Sequence, residues 1–188
     1  GTIGPGGWLN ISATGTFSAS QNVVVNGGSL IRANTAVNSF TLAAGRTLII
    51  QGGGLAQLTG GFELSTNRAA SITDGQFVLS SFLDIGNSGN ATLTANGASA
   101  SVVSGASGLS FWGVAGGVGE AAFFNGAVGT FSGGVRLGDN IAGSLGRLQV
   151  ASASFNVGSL NVGTGAGSGE VIITGGTSVV SVLGAAAV

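Results

Sequence analysis

With 188 residues, 38 of them glycine and one proline, 44% hydrophobic and 6% charged for a net charge of -1, the chain is long enough for one domain or one solenoid. These values exclude disorder driven by low hydrophobicity and high charge, and they exclude collagen, which needs glycine at every third place and abundant proline. Five basic residues, all arginine, leave no basic patch for nucleic acid or anionic lipid, and the absence of cysteine removes disulfides and thiolate metal sites.

No apolar run approaches the roughly 18 residues of a transmembrane helix. The chain starts at Gly1 with no visible signal peptide and reads as a processed product or an excised segment. So few charges on a chain of positive mean hydropathy favour self-association, because surface charge is what keeps soluble monomers apart.

A pattern of four residues, apolar-x-apolar-small, recurs along the chain. It occurs as Leu9-Asn10-Ile11-Ser12, Val23-Val24-Val25-Asn26, Phe40-Thr41-Leu42-Ala43 and Phe62-Glu63-Leu64-Ser65. It continues as Leu83-Asp84-Ile85-Gly86, Leu109-Ser110-Phe111-Trp112, Val135-Arg136-Leu137-Gly138 and Leu160-Asn161-Val162-Gly163. The copies lie about 14 to about 26 residues apart, the spacing of solenoid repeats from the third copy onward. Apolar and polar residues alternate within each copy, the period of a strand with one buried face.

A second strand follows each regular anchor, as in Thr47 to Ile50, Ala91 to Thr94 and Val171 to Ile173. A third follows in turn, as in Leu55 to Leu58, Phe77 to Leu79 and Phe155 to Val157. Corners carry Asn26-Gly27, Asp74-Gly75, Asn96-Gly97, Asn125-Gly126 and Gly175-Gly176, residues that tolerate the positive φ of tight turns. No window of eleven or more residues keeps a 3.6 period free of glycine, so no helix is expected.

These observations predict an all-β chain, a single-stranded parallel β-helix of about eight rungs of three short strands, roughly 40 Å long. Residues 1–188 form one β-solenoid domain in this reading. Residues 1–39 are short, atypical N-terminal rungs, 40–182 regular rungs and 183–188 a C-terminal tail. One interior ladder is expected to run Leu9, Val23, Phe40, Phe62, Leu83, Leu109, Val135 and Leu160.

The stretch from Leu83 to Thr94, and again residues 160–176, resembles the "L-x-V-G-x-x-x-x-G-x-L-x-V-T-G-G" repeat of autotransporter passengers and of PEP-CTERM-associated bacterial surface proteins. The likeness is good over roughly 83–95 and 135–184. It implies a right-handed coil displayed outside a bacterial cell. The motif is a coil motif and brings no catalytic residue with it.

Several constellations invite chemistry. Glu63 and Asp84 are expected on the outward side of adjacent anchor strands, close to the roughly 5–5.5 Å separation of a retaining glycosidase pair. Their expected neighbours, Thr41 and Ser110, supply no cation, so two solvated carboxylates is the plainer reading. Glu120, Arg147 and Glu170, aligned with Asn90, predict a ladder of alternating charge that sets register. The glycine-rich corners 113–119 and 163–169 lack the lysine of a phosphate loop and the repeated aspartates of a calcium coil. No catalytic, cofactor-binding or metal residue is assigned, and no cofactor is expected. Asn10-Ile11-Ser12 and Asn90-Ala91-Thr92 match the glycosylation acceptor pattern by chance.

Trp8, Trp112 and Phe124 are candidate outward aromatics for contact with a partner. Leu9 and Ile11 at one end, with Val179 and Val180 at the other, are candidates for end-to-end stacking. The expected function is that of an extracellular or cell-surface structural protein, a subunit that partners itself head to tail in a filament. It has no nucleic acid partner and no membrane-spanning segment, and cell-surface or polysaccharide contact is open to it. An excised segment of an autotransporter-like adhesin passenger is the alternative. Two readings of another class are an ice- or carbohydrate-binding solenoid, from outward Thr73, Thr94 and Thr174 interrupted by Phe124 and Ala151, and a polysaccharide-degrading enzyme on Glu63 and Asp84.

Overall fold

The computed structural model describes residues 1–139 and 141–188. Each amphipathic run of the sequence is a strand, and every strand pair is parallel. The chain is a β-solenoid of about 7 turns. Its first face stacks eight strands, from Thr2–Ile3 and Val23–Asn26 to Ser168–Thr174. The second face stacks eight more, from Trp8–Ile11 to Val179–Val182. The third face is divided into a pair, Phe17–Ala19 on Phe40–Leu42, and six strands from Phe62–Leu64 to Ala186–Ala187. One short 3-10 turn, Val37–Ser39, interrupts the coil, and no helix among the described residues is long and apolar enough to cross a membrane.

The strand period drives this arrangement. Alternate residues turn inward and stack rung on rung into a continuous apolar core, with Leu48, Ile50, Phe77, Leu83, Phe123 and Val150 fully buried. Parallel stacking also pairs backbone donors with acceptors from one rung to the next, which a chain with few side-chain ions needs.

The interior ladder of the third face differs from the expected one. It runs Phe17, Phe40, Phe62, Leu83, Ser110, Val135 and Leu160. Leu9 belongs instead to the second face, beside Leu30, and Val23 to the first, beside Leu48. Leu109 precedes its strand, Ser110–Val114, by one residue. The reason is that apolar-x-apolar-small fits any amphipathic strand, so it does not tell the three faces apart.

The glycine that closes the pattern does tell them apart. Gly86, Gly113, Gly138 and Gly163 all hold φ between 67° and 76°, a left-handed corner at the end of a third-face strand. A Cβ on Gly138 would run into the Ser168 carbonyl of the next corner. The glycine at the second place of the following strand, Leu145–Ala151, is equally confined, because a Cβ on Gly146 would meet the Trp112 carbonyl and the Gly138 amide. Two glycines thus let neighbouring corners nest backbone against backbone.

The one-residue slip at Leu109 reverses a side chain. Trp112, expected outward, is fully buried, and Ser110 is buried with it. The indole Nε1 donates to the Leu83 carbonyl at 3.0 Å, and the ring lies edge-on to Phe131 and Phe155 at 5.2 and 5.8 Å. A buried indole finds here both its apolar packing and its one acceptor.

A different device turns the early rungs. Arg32 ends the second-face strand Ser29–Arg32, points inward and is fully buried. Its Nη2 donates to the Thr59 and Gly61 carbonyls at 2.7 and 2.6 Å, and its Nη1 to the Val37 carbonyl at 3.3 Å. These contacts stand where the third sheet is interrupted, between Leu42 and Phe62. Burial lowers the guanidinium pKa.

Candidate functional site

Chemistry-bearing side chains gather on two faces. On the third, the outward row runs Thr41, Glu63, Asp84, Phe111, Arg136 and Asn161. Glu63 and Asp84 are register partners on adjacent rungs, as expected. The next position is Phe111 and not Ser110, which follows from the same one-residue slip that buries Trp112.

Asp84 is the most perturbed acid of the chain. Burial raises its pKa to about 7; the Phe111 N–H, which donates to Oδ1 at 2.9 Å, opposes the rise, and the charge of Glu63 adds to it. No hydrogen bond joins the two carboxyls among the described residues, so the pair is a register neighbour and not a shared-proton dyad. Arg136, the cation of this row, is engaged elsewhere. Its guanidinium lies over the Phe111 ring, 5.6 Å from the centroid, and 3.7 Å from Asp139.

On the first face the expected charge ladder is present. Arg147 Nη1 donates to Glu120 Oε1 at 2.7 Å and Nε to Glu170 Oε2 at 2.8 Å, across three successive rungs. The rung above Glu120 contributes Thr92 to this row and not Asn90, because the strand is entered two residues later than its asparagine suggests. The two carboxylates hold Arg147 in its charged form.

Neighbouring backbone fills the glycine-rich corner 113–119 at Gly117 and Gly119. A Cβ on Gly117 would strike the Gly86 and Gly89 carbonyls, and one on Gly119 the Ile85 carbonyl. Among the described residues, no group of three or more Asp, Glu, His or Cys is placed to hold a metal ion.

The remaining candidates separate. Trp8 is 73% exposed on the second face, and Phe124 is half-buried on the outward side of the first. Thr94 lies in a row with Ser71 and Ala122, whereas Thr174 lies in another with Asn96, Phe124 and Ala151. The threonines therefore form no single file. Leu9 and Val180 turn inward at opposite ends of the coil, each packed on its neighbouring rung. Ile11 is already buried, and Val179 points out from the second face, half exposed. Arg32 went unremarked in the sequence, although its inward place was readable from the alternation Ser29-Leu30-Ile31-Arg32.

Fold and sites together define a parallel β-solenoid with exposed ion pairs, a stacked carboxylate pair and no assigned ligand. Comparison with protein-family models, with curated proteins and with solved structures finds no match to this chain.

Proposed function

We propose that the protein is a structural coil of the bacterial cell exterior whose subunits stack head to tail into a filament. The observation that carries this reading is that both ends of the coil present apolar interior and unpaired strand edges. At the first rung an open hollow of about 360 Å³ is lined by Ile3, Leu9, Phe17, Ala19 and Val23. At the last rung Val171, Val180 and Val182 are only partly covered, and Leu183 is 80% exposed.

Gly163 supports the same reading. It keeps the left-handed corner of Gly86, Gly113 and Gly138, yet no backbone of a following corner lies against it. A strand edge with an apolar flank is a template for another strand. The extracellular setting rests on the resemblance of residues 83–95 and 135–184 to surface-protein repeats.

Negative-stain microscopy of purified protein tests the proposal. Long unbranched fibres are expected, and monodisperse monomers at high concentration would overturn it. Further rungs of the same polypeptide would satisfy the edges equally well. Fusing a capping element over both end rungs should accordingly abolish fibres.

A further inference from the structure

The second face carries no charge on its outward side. Its eight strands contain one ionisable residue, Arg32, and that side chain is buried. The ion pairs described above all lie on the other two faces. Two outward rows run the length of the second face. One runs from Trp8 through Leu55 and Val128 to Val179, the other from Asn10 through Val78 and Val103 to Ser181.

Each rung but the seventh places one apolar and one uncharged polar residue in these rows; the seventh has Ser154 and Asn156. The order of the two types is nearly palindromic about the midpoint between the fourth and fifth rungs. A two-fold axis there, parallel to the strands, sets Trp8 against Val179, Leu55 against Val128, and Val78 against Val103 of the second copy. It also sets Ser29 against Ser154, Gln76 against Ser101, and Gln57 against Thr130. Of the eight distinct pairs, Ile31 with Asn156 alone joins an apolar to a polar residue.

We propose that this face is a self-complementary docking surface that binds the same face of a second copy, the two coils lying antiparallel. Three properties select that partner. A β-coil alone repeats its side chains every rung, about 4.8 Å apart, and so keeps register along the whole face. An isologous contact brings every group onto a copy of its own surface, which an uncharged face tolerates and a charged one does not. The opposite orientation, with coils parallel, sets Leu55 against Gln57 and puts apolar on polar at nearly every rung.

The footprint is small. Seven rung steps and a strand width of about 14 Å give roughly 500 Å² per copy, or about 1,000 Å² in total, the lower edge of a specific interface. A reversible dimer is therefore expected, and it does not depend on stacking at the ends.

The chain has no cysteine, so pairs of introduced thiols report the geometry cleanly. Leu55→Cys and Val128→Cys proteins, purified separately, mixed and mildly oxidised, are expected to form the mixed disulfide at least about tenfold over either homodimer. These residues lie on the third and sixth rungs, too far apart for a homodimeric bridge in this arrangement. A statistical 1:2:1 mixture of the three species, preferential linkage of Leu55→Cys to Gln57→Cys, or no linkage with an unchanged β circular-dichroism spectrum would each overturn the proposal. Sedimentation velocity gives an independent reading. Val103→Glu should lower the dimer fraction about tenfold, and mixing it with Val78→Lys should restore it, because those positions face each other. Failure of the restoration would count against the antiparallel register even where fibres still form.

Discussion

The early and late rungs differ in strand length and in what is added to their glycine corners. Up to Leu64 the strands are two to five residues long, the third sheet is divided, and the corner around residues 59–61 is held by the Arg32 guanidinium. From Ser110 onward, first-face strands reach seven residues, and nested glycines close the corners. The aromatic cores differ in the same way. Phe17, Phe40 and Phe62 form a stacked file at one end, while Trp112, Phe123, Phe131 and Phe155 form an edge-on and tilted cluster at the other. Glycines lie against backbone in the early rungs too, Gly28 on the Gly4 carbonyl and Gly60 on that of Thr35; the early corner at residues 59–61 adds a long donor side chain that reaches the carbonyls left there.

Replacing those donors tests the contrast most severely. Arg32→Ala leaves the Thr59 and Gly61 carbonyls buried without a partner and opens a cavity, and should cost about 3–5 kcal/mol. Urea unfolding followed by amide exchange should show the loss confined to the early rungs. A loss spread evenly over the coil would dissolve the distinction between the two regions.

The late rungs break at glycine instead. Gly138→Ala meets both a left-handed backbone and the Ser168 carbonyl, and about 2–4 kcal/mol is expected. Gly116→Ala has the same sign of φ, 80°, with open space around it, so only the backbone cost of about 1 kcal/mol should appear. Thermal unfolding of the pair separates nesting from turn geometry.

Between the regions, Asp84 supplies a pH dependence. Its pKa is raised to about 7 in the coil and lies near 3.9 in an unfolded chain. Between those values the folded state holds a proton that the unfolded state lacks. Its contribution is therefore full below about pH 4, falls as pH rises towards 7, and is constant above. Asp84→Asn should flatten that slope between pH 4 and 7, measured by denaturation at several pH values. An unchanged slope would reassign it to other carboxylates.

The smallest effect belongs to the exposed ladder. Arg147→Gln should shift the melting temperature slightly at low ionic strength and not at all at about 1 M salt, where screening acts over about 3 Å. A shift that persists in high salt would mean that the arginine stem packs on the face beneath it.

Much of this was legible in the chain itself. Alternation and turn residues give the strands, the parallel coil and the Glu120–Arg147–Glu170 row, because a period of two and a solenoid repeat leave few other solutions. Register was less legible. In the copy around residue 110 a serine occupies an inward place and Trp112 the next, so apolarity alone aligns it one residue early. The glycines that follow Ile85, Trp112 and Leu137 carry the correct phase, for a backbone reason that hydrophobicity does not encode. The raised pKa of Asp84 was hidden for another cause, since it depends on how deeply the folded coil buries the carboxyl, which no local residue pattern states. Arg32 shows the opposite lesson: its inward place was readable, but its three carbonyl partners come from segments up to 29 residues away.

The interruption of the third sheet has a mechanical consequence. Hydrogen-bond ladders run unbroken along two sides of the coil and are cut on the third between Leu42 and Phe62. Under lateral load the rod should therefore flex most easily by gaping on that side, against the Arg32 contacts that span the break. A fibre of such rods would have a preferred direction of curvature.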